Sequence, residues 1–191
     1  MDTIIFDFFG VVSSESAPFV LPKYMPQERA IEVKRTIVLD ADLGRITQDE
    51  MFEKLSAITG APANVLAADF WSYVQIDDAV VAMIESLRPK YRVGLLTNAI
   101  TPFIRQIIDR HDLERLFDAI LVSAEEGMAK PDPAFYLRLL ERMGADPAQS
   151  VMIDDNPENI AGATAAGMQA VLFTTATKLA ADLKALHAIT V

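Results

Sequence analysis

From residue 78 onward, short apolar runs take turns with amphipathic ones. "DAVVAMIESLRPKY" has helical spacing and ends near Pro89, and "RVGLLTNA" is a brief apolar run that closes in polar residues. "TPFIRQIIDRHDL" is helical with Pro102 in its first turn, and "FDAILVSAEEG" reads as a strand. "DPAFYLRLLERMG" is a helix with a Pro133 start and a Gly144 stop. "SVMIDDNPENIAGATAAG" supplies a strand, a turn and a helix, "MQAVLF" a strand, and "TKLAADLKALH" a last helix. Repeated strand–helix units of this kind predict parallel strands covered by helices on both faces. That architecture is a doubly wound, Rossmann-like α/β core.

The first strand lies far upstream of this series. "TIIFDFFGVV" predicts a strand over about residues 3–9 with both faces apolar, as in a strand sandwiched between helices. Between it and residue 78 the pattern is helical throughout. "PQERAIEVKRTIVLDADLG" has helical spacing and a Gly44 stop. "TQDEMFEKLSAITG" opens on the capping box of Thr47 and Glu50 and closes at Gly60, and "PANVLAADFWSYV" adds a further helix. The expected organisation is a core built from residues 1–13 and 78–191, with an α-helical unit, residues 14–77, inserted after the first strand.

Charge and composition narrow the function. A chain 51% hydrophobic and 23% charged is that of a folded globular protein. A net charge of −10 argues against nucleic acid as a partner but leaves room for a local basic site that takes a small anion. Without cysteine there is no thiolate nucleophile or thiolate metal site, and two histidines, His111 and His187, make an imidazole zinc site a poor reading. No apolar run reaches the ~18 residues of a membrane span. The N-terminal run is interrupted by acids and is a poor signal peptide, so a cytoplasmic location is expected.

In open parallel sheets, ligands bind beyond the carboxyl ends of the strands. Asp7 and Gly10 follow the first strand, Thr97 and Asn98 the second core strand, Lys130 and Pro131 the third, and Asp154, Asp155 and Asn156 the fourth. Carboxylates brought together repel unless a cation intervenes, and oxygen donors suit Mg²⁺. Lys130 can neutralise a nucleophile and a phosphoryl group, Thr97 can hold a phosphoryl oxygen, and Asp7 can attack phosphorus. A small phosphorylated substrate fits this set. Taken singly, Thr97-Asn98 reads equally well as a helix cap, Lys130-Pro131 as a surface loop, and Asp154-Asp155 as helix-capping acids. Their joint order carries the reading. His111 reads as a solvated residue at a helix end, Asn159 as a group that orients Asp155 or faces solvent, and Phe70, Trp71 and Tyr73 as packing.

"DFFGVV", "GLLTNA", "AKPDPAFY" and "VMIDDNPENIAGATAAGM", in this order, resemble the four motifs of the haloacid dehalogenase-like superfamily, and the resemblance spans the chain. It implies a Rossmann-like core, an α-helical cap and a hydrolase. By the same resemblance Asp7 is the nucleophile, and Asp7, the Phe9 backbone carbonyl and Asp155 hold Mg²⁺ with Asp154 in support. Thr97, Asn98 and Lys130 serve the phosphate. Phosphatases of the superfamily resemble D-x-D at the first motif, where the second Asp is the general acid and base; here that position is Phe9. Three readings follow. The first is a Mg²⁺-dependent phosphatase working through an aspartyl-phosphate, with the acid supplied elsewhere (Glu15 is one candidate) or made unnecessary by a good leaving group. The second is a 2-haloacid dehalogenase, whose first motif also resembles D-x-aromatic-G. The third is a binding protein that kept the fold.

Overall fold

The computed structural model describes residues 1–187. Five parallel strands form one sheet in the order β3-β2-β1-β4-β5. They are β1 (Thr3–Phe6), β2 (Arg92–Thr97), β3 (Ala119–Val122), β4 (Ser150–Asp154) and β5 (Gln169–Leu172). Eight principal helices accompany them. Residues 27–42 form α1, followed by α2 (Gln48–Thr59), α3 (Ala63–Ser72), α4 (Asp78–Leu87), α5 (Thr101–Arg110), α6 (Pro133–Met143), α7 (Pro157–Ala165) and α8 (Ala176–His187).

Both faces of the sheet are buried, which explains why its strands read as continuous apolar runs. Ile5, Leu96, Leu121 and Met152 pack with Phe135, Tyr136, Leu139 and Leu140 of α6 on one face. Ile4, Phe6, Leu95, Val151 and Ile153 point to the other, joining Ile84 and Leu87 of α4, Ile104 and Ile107 of α5 and Leu179 and Leu183 of α8. The sheet order reverses at β1, which has β2 on one side and β4 on the other. Crevices for ligands open at such a reversal.

Residues 17–72 contain helices and no strand. The two chain segments that enter and leave this insertion run side by side. Asp77 N donates to Val12 O at 2.9 Å, Ser14 N to Gln75 O at 3.0 Å, and Ser13 bridges Ile76. Thr47 and Glu50 form the expected capping box on α2, and Gly60 closes it in the left-handed region. Within α1 the stretch Lys34–Val38 is π-helical, a widening that recurs at functional sites.

Two element boundaries differ from the sequence expectation. β1 stops at Phe6 rather than near residue 9, because the Phe8 carbonyl collects the N–H groups of Val11, Val12 and Ser13 and curls the chain off the sheet. Ser123–Glu126 is a turn of helix, not the end of β3. Ser123 turns its hydroxyl inward, where it accepts from Ala99 N at 2.9 Å and donates to the carbonyl of Asp42 at the end of α1. That contact ties the insertion to the core.

Candidate active site

Register places the chemistry. Phe6 pairs with Ile153 on β4 and with Leu95 on β2, so Asp7 leaves β1 level with Asp154, and Thr97 stands one residue further along. The Asp7 N–H still donates to Ile153 O at 2.9 Å, which holds the residue at the sheet edge. Lys130, from the loop between β3 and α6, brings its ammonium between the two acids. Its Nζ lies 2.7 Å from Asp7 Oδ1 and 2.7 Å from Asp154 Oδ2, with its side chain fully buried.

Each charged group has a distinct set of partners. Asp7 Oδ1 also accepts from Phe8 N at 2.6 Å, while no hydrogen bond among the described residues reaches Oδ2. Asp154 is saturated. Besides Lys130 it accepts from Asn156 N at 2.9 Å and from Asn159 Nδ2 at 2.9 and 3.1 Å. Asn159 thus orients Asp154 rather than Asp155, the residue the sequence suggested. Its position is fixed in turn by the buried Tyr136, whose hydroxyl donates to Asn159 O at 2.7 Å. Asn98 spends both ends of its amide on the main chain of Lys130: Nδ2 donates to Lys130 O and Oδ1 accepts from Lys130 N, each at 2.9 Å. Its side chain is a brace for the lysine. Thr97 Oγ1 is fully buried and has no partner among the described residues, as an atom reserved for a ligand would be.

Burial sets the electrostatics. It pushes the Asp7 carboxyl well above the usual carboxylate range, with Lys130 opposing and Asp154 and Asp155 adding to the push. For Lys130, burial pulls downward, but Asp7 and Asp154 outweigh it and the ammonium is held above its ordinary value. Asp155 is pushed up to about 6 by partial burial and by Glu15 and Asp154. Neighbouring acids shifted this way favour a further cation beside them.

One carboxylate oxygen from each of Asp7, Asp154 and Asp155 lies within 4.8 Å of the others. All are hard oxygen donors, the set that suits Mg²⁺. Asp154 has its lone pairs committed, so Asp7 and Asp155 are the carboxylates left to hold an ion. Gly10 makes room for the second. It sits at φ +87°, and a Cβ there would overlap the Asp155 carboxylate.

The site opens into a cavity of about 700 Å³. Asp7, Phe9, Asn98, Lys130 and Asp155 line its floor. One face of α1 also lines it, with Ile31, Lys34, Arg35, Val38, Leu39 and Asp42 at helical spacing. Glu15, on the entering segment, pairs with Lys34 at 3.1 Å. Burial pushes Asp42 up to about 7; Lys34 opposes the shift and Glu15 adds to it. Phe70 also lines the cavity and packs edge-on against Phe52. Trp71 meets Phe103, and Tyr73 stacks on Phe19. His111 is exposed at the end of α5. The contribution of α1 to the cavity was not legible in the sequence. Its spacing was legible, but nothing in the sequence said which way that face turned.

The sequence profile of the haloacid dehalogenase-like hydrolases matches residues 1–167. The chain belongs to that family. A sesquiterpene phosphatase of Aspergillus oryzae is 32% identical over 129 residues, 65% of this chain and 66% of the relative. A phosphoserine phosphatase of Thermus thermophilus is 32% identical over 126 residues, 62% and 51% of the two chains. The chain thus matches about half to two thirds of the length of these curated relatives. A family enzyme from Bacteroides thetaiotaomicron, solved with magnesium and inorganic phosphate, shares the fold at a TM-score of 0.77 and 23% identity, over 91% of this chain and 94% of that one. Among the described residues of this haloacid dehalogenase-like hydrolase, no helix is long and apolar enough to cross a membrane.

Proposed function

We propose that this hydrolase is a Mg²⁺-dependent phosphatase of a small phosphorylated compound, with Asp7 as nucleophile. The observation that carries the reading is the buried Lys130 ammonium clamped at 2.7 Å to both Asp7 and Asp154, beside a half-exposed Asp155. The ammonium fixes Asp7 Oδ1 and leaves Oδ2 to attack phosphorus, forming an aspartyl-phosphate. Asp7, Asp155 and the Phe9 carbonyl hold the ion, and Asp154 supports the site by positioning Lys130. When bound, Mg²⁺ neutralises phosphoryl oxygens so that a carboxylate can approach a dianion. Lys130 lies within reach of the same phosphoryl group, and Thr97 Oγ1 supplies a donor to one of its oxygens. Asn98 acts by keeping Lys130 in place. The insertion, residues 14–77, serves as a cap: α1 closes the cavity from above and excludes water.

Phosphatase relatives with different substrates support the reaction class, and the structure in complex with magnesium and phosphate supports the ion. The dehalogenase reading fares worse on charge. Two further acids beside Asp7 would repel a 2-haloacid carboxylate. The test is phosphate release by the purified protein from p-nitrophenyl phosphate and a panel of phosphorylated metabolites, with and without Mg²⁺, beside chloride release from 2-chloropropionate. Mg²⁺-dependent phosphate release that vanishes in Asp7→Asn is expected. Metal-independent chloride release would refute the assignment.

A further inference from the structure

Beyond the acids and Lys130, the cavity is furnished with hydrocarbon from three parts of the chain. Phe9 comes from the loop that carries Asp7, Ile100 and Phe103 from the start of α5, and Ile31, Leu39 and Phe70 from the helical insertion. The aromatic part is held in place: Phe9 stacks on Phe103 with centroids 6.0 Å apart and planes 15° apart, and Trp71 of α3 meets Phe103 at 4.7 Å. Ile31 and Leu39 lie two turns apart on one face of α1 and are 44% and 36% exposed. Among the large apolar side chains that stay exposed in the described residues, these two line the cavity. Apolar surface left open beside a reactive centre is surface for a ligand to cover.

The polar groups of the lining have little left to offer a hydroxylated compound. Three asparagines reach it, and each has its amide engaged. Asn98 is spent on the main chain of Lys130, Asn156 accepts from Glu158 N at 2.9 Å, and Asn159 donates to Asp154. One hydroxyl lines the cavity, that of Ser16, which has no partner: enough for one hydrogen bond, not for the several that a polyol needs. Glu15 holds Lys34 through both oxygens, at 3.1 and 3.4 Å, and the charges acting on Asp42 are those of this pair. Arg35 and Glu158 are exposed and keep their charges in water.

We infer that the group esterified to the phosphate is an apolar body, so that the substrates are phosphate esters of alcohols rich in hydrocarbon rather than of sugars or other polyols. The inference rests on the phosphatase reading and names its substrate class. The phosphoryl group sits at Asp7 and Lys130, and the hydrocarbon covers Phe9 and Phe103 and reaches Ile31 and Leu39 on α1.

The test is the Kd of ethyl-, butyl- and hexylphosphonate for the full chain in Mg²⁺, by calorimetry, with hydrolysis of p-nitrophenyl phosphate measured beside it. The carbon–phosphorus bond of these probes is not cut, so the series reports the fit of the chain alone. Affinity should rise about two- to fourfold per methylene. 3-Hydroxypropylphosphonate, which has a hydroxyl where butylphosphonate has its methyl, should bind at least ~10-fold more weakly. Inorganic phosphate should displace every probe. Ile31→Asn and Leu39→Asn should flatten the series, and Ile31→Leu should keep it. A flat series, equal binding of the hydroxypropyl and butyl compounds, hexylphosphonate that stays bound in excess phosphate, or an unchanged slope in both asparagine variants overturns the proposal; p-nitrophenyl phosphate hydrolysis then leaves the phosphatase reading standing. Absence of that hydrolysis overturns the phosphatase reading and the proposal with it.

Discussion

Lys130 is the residue on which the buried charges balance, and replacing it by methionine measures that balance. Lys130→Met keeps a long apolar stem and removes an ammonium that is 2.7 Å from two buried carboxylates. Deleting one member of a buried ion pair costs about 3–5 kcal/mol, because the surviving charge is left uncompensated in a poorly solvated place. Here two carboxylates survive, although Asp154 keeps its bonds from Asn156 and Asn159. With a urea m-value of about 2 kcal/mol/M, the unfolding midpoint should fall by roughly 1.5–2.5 M in metal-free buffer. The effect has a definite sign in pH. Burial already holds Asp7 above the usual range with Lys130 opposing, so removing the ammonium moves Asp7 further up. A carboxyl raised in the folded state contributes stability below its unfolded value of about 3.9 and loses it as pH rises through the folded value. Below the wild-type folded value both proteins hold the Asp7 proton and lose stability alike, so the deficit of the variant should widen once pH rises past that raised value. Urea melts of both proteins at several pH values decide the matter. A midpoint that does not move, or a deficit that narrows on going to higher pH, refutes the claim that Lys130 compensates buried charge.

Gly10→Ala should cost about 1–2 kcal/mol for its left-handed backbone at φ +87°. It should also displace Asp155, so Mg²⁺ affinity measured by calorimetry should fall on the order of tenfold or more; unchanged affinity would remove Asp155 from the ion site. Asn159→Ala strips two contacts from Asp154, at 2.9 and 3.1 Å, and should destabilise by about 1.5–3 kcal/mol in urea melts. The Tyr136 bond survives that change because it ends on the main chain of residue 159. In the presence of chelator, the wild-type Tm should decline as pH rises from about 4 toward 7. Asp155 and Asp42 are pushed up to about 6 and about 7, and both lose their stabilising contribution across that window. Added Mg²⁺ should raise Tm most at the alkaline end of that series. Phe9→Asp should raise kcat/KM on 2-phenylethyl phosphate by about 10² or more, at a cost of about 1–3 kcal/mol from the lost packing on Phe103. A folded variant with no gain on the alkyl ester would show that proton transfer is not what limits that substrate.

Local pattern along the chain was enough to specify the layers, the strand ends and the chemical types gathered there. Alternating apolar runs and helical spacing reflect period and burial, which are properties of local composition, so the parallel sheet and the run of helices over residues 17–72 were legible without coordinates. The order of Asp7, Thr97, Lys130 and Asp154–Asp155 along the chain was enough to place all of them on one sheet edge. What each does to its neighbours came from long-range packing. That Asn98 braces Lys130, that Asn159 and Tyr136 serve Asp154, and that Gly10 yields its volume to Asp155 depend on strand order and register, through which residues 32, 23 and 145 positions apart become partners within a few ångströms. The role of Phe9 followed the same division. Its identity announced that a proton donor was missing, but the stack on Phe103 and the orientation of α1 toward the nucleophile are long-range packing. No local pattern encodes which face of a helix a distant strand end will meet.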